Sequence, residues 1–585
     1  MKKILTFSLI GVSSFIFAQI KQGEVIVKGE NQIKQGEVTV QRNYEPDVTA
    51  VEKIKQTPKV EVPKSQKESI SYNLVDIEAA SDFQTSPISP EKLPINDNPL
   101  YNNYIKAGYG NNSTLKLDAF LNHNLTLDKS IGLNASYLGT KANLNDYNVF
   151  TNTNESKLNA EGFFNYNLQD ALFTVKTGAG IHRLNLYGIP ESSELTANEV
   201  NDVTQRFTDV FAKANYDKFN GEFFKNANTK AYFFNNNFGS NELGFNANTK
   251  LNTGDLYEAD FFGGLILGGK TGVNLHYSHT NFDDKFTPST KFNFLNIGAT
   301  PQLEIKNDVF NLSAGVNLQY VNNSNKGENK FHLFPNAQIK IIAVPEFAIY
   351  GGITGGVNMN TYQSFAKANP YIQPSQDLRP TINQFEFFGG IAGDIGSNFK
   401  YNAKAGFQSL KDEFFFVKNN YSKTPQEPRS FTYANSFVTM YDDVKRTYIT
   451  GVINYVGVEK LELGASVNLQ AYVLDNLENA YEKPALSGEV TAQYSMLGER
   501  LILGGNLLLK GSRKGLTYVG QWENAQQETV DLKSYMDLNF NAHFLLNNQW
   551  TIFAEANNIL NNNYERFADY RVQGLNVLGG VQYKF

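Results

Sequence analysis

From Tyr104 to the terminal Phe585, apolar and polar residues alternate almost without a break. Met536, Leu538, Phe540, Ala542, Phe544 and Leu546 share one parity, with Asp537, Asn539, Asn541 and His543 between them. The pattern resumes with Trp550, Ile552, Ala554 and Ala556 against Thr551, Glu555 and Asn557; Phe553 alone breaks it. The last stretch sets Leu575, Val577, Val581, Tyr583 and Phe585 against Asn576, Gln582 and Lys584. The stretches Ile131–Tyr137, Leu312–Tyr320 and Leu461–Val473 read the same way. A period of two puts successive side chains on opposite faces of a β-strand, so each segment is a strand with one greasy face.

Many such strands need one continuous apolar solvent. A soluble sandwich packs two sheets about 10 Å apart on a shared core. Alternating segments of ~10 or more residues, repeated along nearly the whole chain, fit a lipid-facing barrel better. The predicted fold is therefore all-β: a transmembrane antiparallel β-barrel of about 22 strands. Short connections such as Asn547–Gln549, Leu497–Glu499 and Lys306–Asp308 fall on one rim, and long ones such as Thr361–Thr381 and Ser512–Leu532 on the other. The count requires Leu256–Thr280 to be one ascending strand despite Gly268, Gly269 and Gly272, and it places Phe414–Phe416 in the outer loop between Leu410 and Val444.

Composition agrees with this reading. The chain has 44 Phe, 31 Tyr and 46 Gly, as expected where aromatic girdles flank a bilayer and strands bend around a closed sheet. A mean hydropathy of -0.38 does not argue against it, because half of every barrel strand can stay polar. Met1–Ala18 reads as a secretory signal peptide: Lys2 and Lys3, an apolar run, then a small residue at the cut. Residues 19–98 bear Pro46, Pro58, Pro63, Pro87, Pro90 and Pro94 among Lys and Glu, the texture of an extended periplasmic segment that can enter the lumen. Residues 99–585 form the barrel. Absence of cysteine excludes disulfides, thiol catalysis and thiolate metal sites, and a net charge of -6 without a basic patch excludes nucleic acid as a partner.

The chain carries no motif of a known catalytic site. His276 and His279 lie three apart on a strand and point to opposite faces, so they cannot share a metal. Asp283–Asp284 and Asp442–Asp443 suit either Ca²⁺ binding, acid–base work or a solvated loop. No H-E-x-x-H, G-x-S-x-G or calcium-loop pattern occurs. No catalytic residue, metal or cofactor is assigned. His543, Glu555 and Asn557 are candidate lumen-facing groups, able to meet a solute, the N-terminal segment or one another. Arg566 and Arg571 flank the last outer loop and could pair with lipopolysaccharide.

The tail resembles a known family. The stretch EANNILNNNYERF (Glu555–Phe567), followed by a glycine-bearing strand ending in VQYKF, is similar to the C-terminus of TonB-dependent receptors, most clearly at Asn557, Asn558, Ile559, Leu560, Asn563 and Tyr564. No recognisable plug domain precedes the barrel, so the chain is more like a plugless, receptor-like member. The resemblance implies a Gram-negative outer membrane, a periplasmic N-terminus, and passage or binding of a solute. The alternative is a structural or assembly component of an outer-membrane complex. In that family a short E-V-x-V strand docks TonB; here the repeats IKQGEVIV and IKQGEVTV offer Val25, Val27, Val38 and Val40 as partner-docking strands, or simply a local hairpin or an uncored segment. Val581, Tyr583 and Phe585 resemble the C-terminal signal read by the barrel assembly machinery, and the remaining expected partner is outer-membrane lipid with its lipopolysaccharide.

Overall fold

The computed structural model describes residues 102–142, 144, 152–190, 203–219, 223–259, 264–283, 289–324, 327–344, 346–396, 398–420, 431–458, 460–520 and 525–585. The expected signal peptide, the 19–98 segment and the four repeat valines lie outside these residues.

Antiparallel pairing runs from each long strand to the next, giving a 22-stranded sheet. It closes on itself: the first strand, Tyr104–Gly110, pairs on one side with Leu115–Asn124 and on the other with the last strand, Asn576–Lys584. Two small hairpins stand apart from the wall, Arg513–Val519 with Gln526–Leu532 and Glu565–Phe567 with Tyr570–Arg571. Short turns gather on one rim and long loops on the other.

The greasy parity faces outward. Met536, Phe540, Phe544 and Leu546 are between 37 and 52 % exposed, whereas Asn539 among them is 6 % exposed. Val467, Leu469 and Val473 are likewise exposed while Asn468 and Gln470 are buried. An apolar exterior around a polar interior inverts the arrangement of a soluble domain and requires lipid outside.

Two boundaries differ from the sequence expectation, for one reason. Leu256 belongs to one strand, Asn241–Ala259, and Gly268, Gly269 and Gly272 to the next, Leu265–Phe282, so the expected single strand Leu256–Thr280 is divided between two. Pairing slips between Asn252 and Tyr257, where Gly254 has a φ of 71°. That bulge breaks the alternation as a turn would. A second bulge, between Leu410 and Glu413 with Asp412 at a φ of 52°, hides the continuation of Phe399–Lys418. Phe414–Phe416 are therefore strand residues paired with Thr439–Tyr441, not part of a loop.

The lumen at the long-loop rim holds an apolar core. Phe207, Tyr232, Phe234, Phe282, Phe292 and Phe294 project into it from the wall. Loop residues Tyr187, Tyr362, Phe365, Tyr371, Phe567 and Tyr570 pack against them.

Candidate functional site

The loop between Asn358 and Thr381 folds inward around a seven-residue helix, Tyr362–Ala368. Its start is built locally: Ser364 N donates to Thr361 Oγ1 at 3.1 Å and Thr361 N to Ser364 Oγ at 2.9 Å, a reciprocal capping box. Asn369 ends the helix, and Pro370 behind it prevents continuation. Tyr362, Phe365 and Ala366 form the buried face.

Wall residues far away in sequence hold this loop. The Glu242 carboxylate accepts from Tyr362 N at 2.7 Å and Gln363 N at 3.1 Å, and also from Thr280 Oγ1 at 2.7 Å and Tyr232 Oη at 3.0 Å. Gln205 Nε2 donates to Pro370 O at 2.8 Å and Ile372 O at 3.0 Å, and Asn236 Nδ2 to Tyr362 Oη at 2.7 Å. These bonds satisfy the groups they join, as burial demands, while Gln205 Oε1 and Asn369 Nδ2 find no partner among the described residues.

Other loops complete the layer. Tyr371 stacks on Tyr570 with centroids 3.6 Å apart, and Tyr187 meets Tyr570 edge-on at 4.9 Å. Burial raises the Tyr187 and Tyr570 phenols well above their usual pKa, so both remain donors. Tyr187 Oη donates to Arg571 O at 2.6 Å and Tyr570 Oη to Asn435 O at 2.5 Å. Lys418, fully buried, donates to Gly188 O at 2.5 Å and pairs with Asp569. Glu482 pairs with Arg513 at 3.2 Å and accepts from Ala568 N at 3.0 Å. Burial pushes the Glu482 carboxyl up, against the opposing pull of Arg513.

Beside this layer lie two cavities. One of about 400 Å³ is lined by Lys157, Glu161, His182, Asp209, Phe211 and Lys367. The other, of about 210 Å³, includes Glu155, Tyr187, Tyr371, Arg566 and Gln573. Their polar groups are largely paired: Lys176 with Glu161 at 2.9 Å and His182 with Glu155 at 2.9 Å across neighbouring strands, and Lys367 of the helix with Asp209 at 3.2 Å. The arrangement can close the barrel at its loop rim over a polar compartment. No local pattern in the sequence announces it, because helix and anchor are some 120 residues apart and the helix is too short to show a period.

The residues singled out from the tail fall in two places. Glu555 accepts from Lys106 at 3.0 Å and Lys116 at 2.8 Å, and Phe553 lies under the Lys106 ammonium at 4.0 Å. His543 stacks on Phe553 at 5.9 Å, and Asn557 pairs with Asn576 in the ladder. These form a seam over the closing strands, away from the aromatic layer. The motif residues build a turn. Asn558 has a φ of 50°, its Oδ1 accepts from Asn562 N at 3.0 Å and its Nδ2 donates to Gln573 O at 3.2 Å. Ile559 and Leu560 are exposed, Ile559 N bonds Leu538 O at 2.8 Å, Asn563 is exposed, and Tyr564 Oη donates to Asp537 at 2.5 Å while stacking on Tyr535. Val581 and Phe585 lie on the exposed outer face, with Tyr583 stacked between Trp550 and Phe585. Asp442 accepts from Asn476 N and Leu477 N, which makes it a loop clamp.

Among solved structures the chain is similar to the FrpB iron transporter from Neisseria meningitidis, at 12% identity over 83% of this chain and 82% of that one, with a TM-score of 0.61. It is similar also to the pyoverdine outer membrane receptor FpvA from Pseudomonas aeruginosa bound to pyoverdine (13% identity, 84% and 79% covered, TM-score 0.57). A third is a mutant of the ferric enterobactin receptor PfeA from Pseudomonas aeruginosa (11% identity, 83% and 80% covered, TM-score 0.57). No protein-family model matches, and no curated protein matches by sequence. The chain has the 22-stranded barrel fold of TonB-dependent outer-membrane receptors.

Proposed function

We propose that this barrel is a receptor-like protein of a Gram-negative outer membrane that binds or passes a solute, and that the aromatic layer at its loop rim is the surface gate. Long loops then face the medium, and the short turns and both ends of the barrel face the periplasm. The carrying observation is the loop around Tyr362–Ala368, folded into the lumen and bonded to the wall through Glu242. A barrel of this size is a wide hole if empty, so whatever fills it sets what passes. The fold is shared with proteins named as an iron transporter, a pyoverdine outer membrane receptor and a ferric enterobactin receptor, which supports transport over catalysis.

Val25, Val27, Val38 and Val40 are the candidate docking strands for TonB or another periplasmic partner. Val581, Tyr583 and Phe585 are the candidate signal for the assembly machinery, and His543, Glu555 and Asn557 are candidate lumen-facing contacts for a solute or the N-terminal segment. The gate is tested in planar bilayers by replacing residues 362–371 with a Gly/Ser linker. Larger, persistent single-channel currents from the linker variant are expected; currents equal to those of the parent protein refute the gate.

A further inference from the structure

We infer that Arg183 and Arg206 form a binding site for the phosphate headgroup of an outer-leaflet lipid. The two lie on the adjacent strands Ala171–Asn185 and Thr204–Lys218, directly opposite each other in register. They share the outer face with Ile181 and Val210, which are 39 and 46 % exposed. Their immediate neighbours His182, Gln205 and Phe207 point the other way, into the lumen. Both arginines are exposed and stand near the strand ends, at the long-loop rim.

Like charges directly opposite on a sheet repel. Here nothing within the described residues offsets them: neither guanidinium has a hydrogen-bond or ion-pair partner there. The carboxylates of the neighbouring wall positions face inward and are already engaged, Glu155 with His182 and Asp209 with Lys367, while Glu191, Glu194, Glu199 and Asp202 of the connection between the two strands lie outside the described residues. By contrast Arg500, at the short-turn rim, donates to Leu545 O and Leu546 O. The polar row continues sideways: Ser156 is opposite Arg183, and Asn237 N donates to Arg206 O at 3.0 Å. Toward the middle of the barrel the same face turns apolar, with Leu158, Ile181, Val210 and Phe233 all exposed.

A cationic row above an apolar belt matches an amphiphile with an anionic head and acyl chains. Two guanidinium forks suit a phosphate in particular, since each can donate two parallel hydrogen bonds to its oxygens. The site rests on the membrane placement proposed above. Free phosphate shares the headgroup chemistry but has no use for the apolar belt, which favours the lipid.

The test compares the wild-type protein with Arg183→Gln/Arg206→Gln in nonionic detergent, reading the temperature at which the folded barrel loses its compact gel mobility. Bisphosphorylated lipid A is titrated into each, and inorganic phosphate is titrated in parallel. Lipid A should raise the wild-type midpoint at concentrations about tenfold or more below those the double variant needs. Without lipid, the variant should melt no lower than wild type, because only a repulsive pair has been removed. Equal lipid responses, or a variant that melts clearly lower without lipid, overturn the site. A full shift from inorganic phosphate alone overturns the lipid assignment. Flotation with phospholipid vesicles checks the premise separately: a protein that does not float refutes the membrane placement, whereas one that floats with equal lipid responses refutes only the site.

Discussion

Glu242→Ala should unfasten the gate without unfolding the barrel. In the closed state the carboxylate accepts two amides of the inward loop, Tyr362 N at 2.7 Å and Gln363 N at 3.1 Å. Its other two donors, Thr280 and Tyr232, belong to the wall and stay with it when the loop moves. Alanine would leave both amides buried without an acceptor in the closed state, at ~1–3 kcal/mol each, while the open state solvates them. A shift of about 3 kcal/mol toward opening corresponds to on the order of 150-fold in the open fraction. The chain contains no cysteine, so the thiol introduced by Ala366→Cys is the sole target for a maleimide. Ala366 is 5 % exposed, so labelling requires the loop to open, and its rate reports the open fraction. Labelling should accelerate by one to two orders of magnitude in Glu242→Ala. It should rise less in Glu242→Gln, which keeps one acceptor oxygen but loses the charge. Heat-resistant gel mobility must persist in all three proteins. Labelling rates within threefold of one another, in barrels that remain folded, would refute the anchoring role.

Glu555→Ala removes the shared counter-charge of Lys106 and Lys116, whose side chains are 11 and 20 % exposed, and should cost about 1–3 kcal/mol, seen as a lower temperature for loss of compact gel mobility. Gly580→Val should prevent closure, because a Cβ there would lie 2.0 Å from Ala107 O, whereas Gly579→Ala meets nothing nearer than 3.6 Å and should be tolerated; the yield of folded barrel in membrane fractions separates the two.

The alternation of period two carried the wall. It set which side chains meet lipid, and with the rhythm of short and long connections it set the strand number. It failed at Gly254 and Asp412, where a positive φ inside a continuous strand looks like the end of one. Alternation reports solvent on two faces and a bulge resets the parity, so a bulge and a turn look alike until the partner strand is known. The inward loop was hidden for a different reason. Tyr362, Phe365 and Tyr371 are apolar residues in a connection, and nothing local says that they will meet Phe207, Phe234 and Phe282. Phe553 was the one legible irregularity: an aromatic at a polar parity, which lies under Lys106 beside the closing seam.

The closing seam also constrains the order of folding. Tyr104 pairs with Lys584, so the first strand must wait for the last before either is satisfied on both sides. Until then each presents a row of unpaired amides and carbonyls, the template on which chains associate wrongly. The two edge strands are short, seven and nine residues, against 22 for Phe437–Val458 in the interior. The open edges are therefore among the shortest strands of the wall, which limits their adhesion during export, and Lys106 on the first adds a charge of the kind that discourages edge-to-edge pairing. Lengthening either terminal strand would strengthen the finished ring and, by the same contacts, raise the hazard of aggregation before it closes.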